Sequence, residues 1–107
     1  MNAERLKMLN VKDFLPIVYE DIEPYLIAEL NRLKEELINL PEETSKKELL
    51  SKFETSVNNL NQIDADDSTY SGIDTEEREG LCEGLYKMGT IVGLDEASEY
   101  LDEWREW

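Results

Sequence analysis

Carboxylates are the commonest groups in this chain that could do chemistry. The 107 residues include 26 aspartates and glutamates, 11 lysines and arginines, no histidine and a single cysteine, Cys82. Without histidine the chain lacks the commonest general base and the usual activator of a nucleophilic cysteine. We therefore predict that Cys82 is a small buried thiol. Paired carboxylates could support hydrolysis, but spacing marks out no particular pair, so we predict no catalytic residues and no enzyme activity.

One acidic stretch has part of the pattern of a calcium-binding loop. Asp64, Asp66 and Ser68 occupy the first, third and fifth positions of an EF-hand loop. The sixth position, where the sharp turn requires glycine, is Thr69, and the twelfth, where a bidentate glutamate is required, is Thr75. Because the pattern fails at both positions, we expect no metal site here. The chain also lacks a glycine-rich phosphate loop, and we expect no cofactor.

Negative charge is concentrated in the second half of the chain. Residues 1–63 hold 12 acidic and 8 basic residues, a net charge of −4, whereas residues 64–107 hold 14 acidic and 3 basic residues, a net charge of −11. This field repels nucleic acid and anionic membranes and accelerates encounter with basic proteins. We predict a basic protein partner; the alternative is an acidic surface that only solvates the chain. The predicted contacts are the acidic run and its aromatic anchors: Asp64, Asp66, Asp67, Tyr70, Asp74, Glu76, Glu77, Glu83, Tyr86 and Trp107.

A central helix over residues 73–94 is predicted to position most of these groups. Asp74 or Thr75 can cap its first turn, and Glu77 follows Asp74 by three residues, the spacing of a capping box. Gly93 can adopt the left-handed conformation that closes the last turn. Apolar residues recur at spacings of four, three and four and predict one buried face. They are Leu81, Leu85, Met88 and Val92.

Two helices are predicted before the central one. The first has Pro24 in its opening turn and runs to about Asn39. The second begins after Ser45, which forms a capping-box pattern with Glu48, and frays at Asn58–Asn61 into a polar loop over residues 64–72. Their leucine and phenylalanine stripes predict core positions. These are Leu26, Leu30, Leu33, Leu37 and Leu40 in the first helix, and Leu49, Phe53, Val57 and Leu60 in the second.

The ends of the chain carry weaker signals. A short helix is predicted within residues 11–21, with Asp13 as its N-cap and Pro16 in its first turn. A last helix is predicted from Asp95 through Trp104. The terminal Trp107 suggests docking, either on this chain's own core or on a partner. For residues 1–10 a short helix and a frayed arm remain equally open.

These elements together predict one small all-α domain. The chain has 40% hydrophobic residues, enough for a single modest core, and no alternating pattern typical of strands. We therefore expect residues 1–107 to form a single acidic helical domain, a bundle of about four to five helices. One cysteine excludes an internal disulfide, and neither a secretory signal nor an apolar run near 18 residues is present. A cytoplasmic bacterial or phage protein is expected.

Short motifs also suggest a family. They are Ile73-Asp74-Thr75, Arg78-Glu79 and Arg105-Glu106-Trp107, together with Phe14, Leu15, Tyr19 and Pro24 near the front. In these residues the chain resembles a family of small acidic helical bacterial proteins known only as a domain of unknown function, although residues 64–71 depart from its pattern. The resemblance implies an all-helical fold and no established activity.

A second likeness is one of type. Small size, acidity and the lack of catalytic groups are similar to the immunity proteins that neutralise toxins of bacterial competition systems. Our leading hypothesis is therefore a non-catalytic immunity protein that binds a basic nuclease toxin domain. The alternative is a phage-type nucleic-acid mimic that inhibits a DNA-binding or defence nuclease protein. An enzyme is the third option, and it would need a pocket holding two carboxylates with displaced pKa values.

Overall fold

The described part of the chain contains four α-helices and two short 3-10 helices. This computed structural model describes residues 2–16, 18–41, 43–66, 72–95 and 98–107. Within those ranges there is no β-strand, so the prediction of a small all-α bundle is confirmed. The α-helices are α1 (Asn2–Lys7), α2 (Glu23–Ile38), α3 (Lys46–Ala65) and α4 (Thr75–Ile91), and 3-10 helices span Val11–Phe14 and Tyr100–Glu103.

One continuous hydrophobic core joins these helices. The leucine stripe of α2 lies at its centre and packs mainly against α3, while α1 and α4 cover its other sides. Burial of these apolar side chains is the main force that holds the bundle together. The fully buried large side chains of the three long helices are Leu26, Leu30, Leu33, Phe53, Leu60, Leu81, Leu85 and Met88. No helix in the described ranges has both the length and the apolar character needed to cross a membrane.

Local signals set the ends of the long helices. At the start of α4 the Asp74 side chain accepts a hydrogen bond from the Thr75 N–H at 2.8 Å, and Glu77 completes the predicted capping box. At its other end Gly93 has a φ of +97°, which glycine adopts without strain. The Ser45 hydroxyl accepts from the Glu48 N–H at the start of α3, also as predicted.

The short helix predicted within residues 11–21 is wrong in type and position. The structure has a 3-10 helix at Val11–Phe14, capped by Asn10 rather than Asp13. Pro16 lies beyond its end and not in its first turn. A residue that precedes proline is disfavoured in the α region, and Leu15 accordingly leaves it, with φ −126° and ψ 57°. Phe14, the last residue of the 3-10 helix, lies against α4 at Gly80 and Gly84.

Two further boundaries differ from the predictions. Helix α3 does not fray at Asn58–Asn61 but continues to Ala65, because Asn59 and Asn61 find hydrogen-bond partners elsewhere in the fold. The last helix predicted from Asp95 is a 3-10 helix that starts only at Tyr100. Glu99, immediately before it, has a φ of +52°, which an α-helix cannot contain. Ala97, which was assigned to that helix, lies outside the described residues.

Candidate protein-binding site

An open acidic groove lies between Phe14, Pro16, Val18 and Tyr19 on one side and the first three turns of α4 on the other. It consists of two clefts that share Glu76. The first, the Tyr19 cleft, has a volume of about 400 Å³, and the second, the Phe14 cleft, about 250 Å³. Val18, Tyr19, Asp74, Thr75, Glu76 and Glu77 line the Tyr19 cleft, and Phe14, Pro16, Glu76, Glu79, Gly80 and Glu83 line the Phe14 cleft.

Glycines on α4 allow the two walls of the groove to approach each other. A Cβ atom at Gly80 would lie 2.0 Å from the carbonyl oxygen of Phe14, and one at Gly84 would lie 3.1 Å from its ring. At Gly80 a side chain has no room, because the clashing atom belongs to the backbone of Phe14, whereas at Gly84 the ring of Phe14 would have to shift by a few tenths of an ångström. The apolar residues Phe14 and Pro16 are thereby held directly beside the acidic face of α4.

Three carboxylates on that face form no ion pair within the described part of the chain. Glu76, Glu79 and Glu83 are exposed, and their spacing of three and four residues places them along one side of the helix. None of the three forms an ion pair with a basic residue in the described ranges. Several bases are instead engaged elsewhere: Lys12 with Glu23, Arg32 with Glu29 and Glu36, Lys52 with Glu36, and Arg105 with Asp102.

The groove gathers part of the predicted contact set. Asp74, Glu76 and Glu83 line it together, and all three are exposed. Glu77 also faces the Tyr19 cleft, but it is only 2% exposed, and one of its carboxylate oxygens accepts the Asp74 N–H at 3.0 Å. Its main role is to cap α4, and we leave it out of the exposed charged face.

The residues before α4 are placed differently. Asp64 is half-buried, and its carboxylate accepts a hydrogen bond from the Ile73 N–H at 2.7 Å, which joins the end of α3 to the start of α4. Asp66 is exposed at the C-cap of α3. Asp67 and Tyr70 lie outside the described residues. Asp64 thus has a role in the fold that its position in an acidic run did not indicate.

The two remaining predicted anchors belong to a separate aromatic cluster. The ring of Tyr86 meets that of Tyr100 edge to face at a centroid distance of 5.1 Å, and burial raises the pKa of the Tyr86 hydroxyl. Trp107 is half-buried against the core, with the guanidinium of Arg105 at 5.2 Å from its ring. Two alternatives were predicted for Trp107, docking on its own core or on a partner, and the structure shows the first. Neither aromatic is among the described residues that line the groove.

One known family model matches nearly the whole chain. The model of the family described as a domain of unknown function (DUF4844) matches residues 5–106. The chain belongs to this family. No curated protein and no solved structure matched it. The resemblance drawn from the short motifs is thus confirmed. Because the family's description assigns no activity, the function of this DUF4844 chain has to be argued from its groove.

The cysteine of the DUF4844 chain has no activated environment. Cys82 is half-buried on α4, and burial raises the pKa of its thiol, which disfavours the nucleophilic thiolate. In the described ranges, no three cysteine or carboxylate side chains are grouped so that they could hold a metal ion.

Sequence reasoning missed two features of the DUF4844 chain. Tyr19 is 52% exposed at the rim of the groove, and nothing in its local sequence marks it as an anchor. Glu29 is only 8% exposed and accepts hydrogen bonds from Arg32, Ser56 and Asn59 across the contact of α2 and α3. A signal for Glu29 was available, because it stands four residues before Leu33 on the apolar stripe of α2.

Proposed function

We propose that this chain is a non-catalytic cytoplasmic binding protein that neutralises a basic toxin domain of a bacterial competition system by binding it. The acidic groove is the proposed contact surface. A basic nuclease domain is the kind of toxin that such a surface suits, because nucleases that bind nucleic acid carry positive patches at their active sites. Binding there would block access of the substrate.

One observation carries this proposal. Glu76, Glu79 and Glu83 are exposed along one side of α4, line one groove and have no ion-pair partner among the described bases. Like charges so arranged repel one another and lower the stability of a helix. Their attraction to a complementary positive surface would both accelerate and orient the encounter of two proteins.

The apolar side of the groove supports a protein partner. Phe14, Pro16 and Val18 lie opposite the carboxylates, and Tyr19 stands exposed at the rim. Charge mainly governs the rate of association, whereas desolvated aromatic and apolar contacts hold a complex together. The groove offers both kinds of contact within one surface.

The geometry gives less support to the nucleic-acid mimic. With a rise of about 1.5 Å per residue, the groove carboxylates on α4 recur about every 4.5–6 Å of helix axis. The phosphates of one DNA strand recur about every 3.4 Å of axis. Because successive phosphates also turn around the DNA axis, this rise is shorter than the distance between them, and the apolar wall formed by Phe14, Pro16 and Val18 has no counterpart on a phosphate backbone. Competition by added DNA for the complex would nevertheless favour the mimic.

The first prediction concerns the rate of association with a basic toxin domain. The proposal implies that the toxin is encoded beside the gene for this chain, so a basic protein encoded there is the probe. A variant with Glu76, Glu79 and Glu83 all changed to glutamine should associate at least about tenfold more slowly at low ionic strength, because electrostatic steering is lost. Stopped-flow fluorescence across a series of salt concentrations measures this, and the difference should shrink as salt screens the charges.

A matched variant separates the groove from net charge alone. Glu35, Glu43 and Glu54 are exposed and line neither cleft, so their change to glutamine removes the same total charge elsewhere. We expect this control to slow association by less than about twofold. Equal rates for the two triple variants, or no salt dependence in the unmodified chain, would contradict the proposed surface.

A further inference from the structure

The Tyr19 cleft combines groups that do not suit an anion or a purely apolar ligand. Its volume of about 400 Å³ lies toward the lower end of small-ligand sites, which span about 300–1,000 Å³. Val18 and the half-exposed ring of Tyr19 form one wall, and Asp74, Thr75 and Glu76 form the other. Apolar surface and carboxylates therefore face the same space.

The N-terminus of α4 does not make this cleft an anion site. The side chain of Asp74 accepts from the Thr75 N–H and from the backbone of Glu77. Side chains rather than an external anion therefore satisfy the amides there. The surrounding carboxylates would also repel an anion.

Glu77 adds a buried negative charge beside the cleft. Its side chain is only 2% exposed, and it lines the cleft. One of its carboxylate oxygens accepts the Asp74 N–H at 3.0 Å, so this residue caps α4. A carboxylate at this position strengthens the preference of the cleft for a positively charged donor over an anion.

We propose that the Tyr19 cleft binds an arginine side chain presented by the protein partner. This inference rests on the proposed function, and it names the chemistry of the contact. The planar guanidinium stacks on the ring of Tyr19 while its N–H groups donate to the exposed carboxylates of Asp74 and Glu76, and the buried Glu77 adds to the negative field. Arginine suits such a site better than lysine, because its guanidinium is flat, more weakly hydrated and able to bind carboxylates in pairs.

The Phe14 cleft extends this contact along the partner chain. Phe14 and Pro16 offer an apolar floor, and Glu79 and Glu83 offer two more carboxylates next to the shared Glu76. An extended segment with an arginine in the Tyr19 cleft therefore places its next apolar and basic residues here. The preferred partner segment is basic and carries at least one apolar residue beside the arginine.

The second prediction uses a blocked peptide with one arginine among alanines, and the same peptide with citrulline or lysine in its place. Citrulline keeps the shape of arginine without its charge. The arginine peptide should shift the amide resonances of Tyr19, Thr75 and Glu76 in NMR titrations. The citrulline peptide should shift none of them, and the lysine peptide should bind more weakly. Equal affinity for lysine and arginine would overturn the proposal.

Variants of Tyr19 separate stacking from charge. Tyr19→Leu should weaken binding of the arginine peptide roughly threefold to tenfold, whereas Tyr19→Phe, which keeps the aromatic face, should stay within about twofold. Glu76→Gln should weaken binding, and Glu54→Gln, which removes the same charge from α3 outside the groove, should not. Equal affinity of the leucine and phenylalanine variants would show that the ring does not bind the guanidinium.

The two proposals fail in different ways. If neutralising the groove slows toxin association while the citrulline and arginine peptides behave alike, the proposed function stands and the arginine site is wrong. If the arginine peptide binds as expected while the groove variant associates with the toxin at the normal rate, the toxin-neutralising function is wrong. The peptide experiment therefore does not depend on identifying the toxin.

Discussion

Glu29 is a charged residue in a buried position, and its hydrogen bonds explain why it is tolerated there. Its carboxylate accepts from Arg32 at 2.6 Å, from the Ser56 hydroxyl at 2.8 Å and from the Asn59 amide at 3.1 Å. The same contact raises the pKa of the Arg32 guanidinium, chiefly through its hydrogen bond to Glu29. A buried carboxylate is stable when it is paired and hydrogen-bonded in this way. The cluster links α2 to α3 at one defined register.

The third prediction tests this cluster. Glu29→Gln should lower the free energy of unfolding by about 1.5–3 kcal/mol, because hydrogen bonds to a charged acceptor are lost and its donors are left poorly satisfied. Ser56→Ala should lower it by about 1 kcal/mol alone and by less in the Glu29→Gln background, since the two residues share a hydrogen bond. Urea unfolding of the four proteins in this cycle measures both effects.

An exposed glutamate on the same helix provides the comparison. Glu35 faces solvent on α2, so Glu35→Gln should change the free energy of unfolding by less than about 0.5 kcal/mol. If Glu29→Gln behaved like Glu35→Gln, the buried cluster would contribute nothing to stability.

At the scale of elements, the packing of other segments against α4 depends on its glycines. Gly80 and Gly84 face Phe14, and Gly89 faces Tyr100, whose hydroxyl would lie 2.0 Å from a Cβ at that position. Glycines inside a helix lower its intrinsic stability relative to alanine by about 1 kcal/mol each. Close packing of other segments on the helix is the physical reason for their presence.

The fourth prediction compares the destabilisation caused by a steric clash with the stabilisation expected from higher helix propensity. Gly80→Ala should lower the free energy of unfolding by about 1–3 kcal/mol, because the new methyl group would collide with the backbone carbonyl of Phe14, which cannot move aside as a side chain could. Thr90→Ala, at an exposed site on the same helix, should stay within about 0.5 kcal/mol. Thermal unfolding by circular dichroism compares the two variants.

The sign of the result decides the interpretation. Propensity alone predicts that Gly80→Ala stabilises the protein. A more stable variant would mean that residues 14–16 do not lie against α4, and the Phe14 cleft would then lose one of its walls.

On the scale of the whole molecule, the net charge of −15 opposes the compact state. Part of this repulsion is concentrated on α4, where Glu76 and Glu79 are three residues apart and Glu79 and Glu83 four. Each such pair of like charges lowers stability by roughly 0.2–0.5 kcal/mol. A partner that presents positive charge to this face would relieve the repulsion.

The fifth prediction follows from that repulsion. The free energy of unfolding, measured in urea so that the denaturant adds no ions, should rise as sodium chloride is increased, because salt screens exposed charges. The variant with glutamine at positions 76, 79 and 83 should be more stable at low salt and should gain less from added salt. An undiminished salt dependence in this variant would place the main repulsion elsewhere.

Much of the secondary structure could be derived from the sequence because its signals are local. The capping box of Asp74 and Glu77, the cap at Ser45, Pro24 in the first turn of α2 and the glycine stop at Gly93 each act within a few residues. The leucine stripes repeat within single helices and so predicted most of the buried faces, except that Leu40 and Val92, which follow the ends of α2 and α4, are only half-buried. Where local signals were weak, after Pro16 and before Tyr100, the predicted α-helices were wrong.

The candidate site was only partly derivable. Composition determined that the second half of the chain is strongly acidic, and the order of residues placed Glu76 and Glu83 on one helix. Which carboxylates remain exposed was decided by tertiary structure, which buries Glu77 and gives Asp64 a hydrogen bond to Ile73. The groove itself exists because Phe14 meets Gly80, two residues far apart in sequence. Contacts of that kind depend on how the helices pack, and no local pattern encodes them.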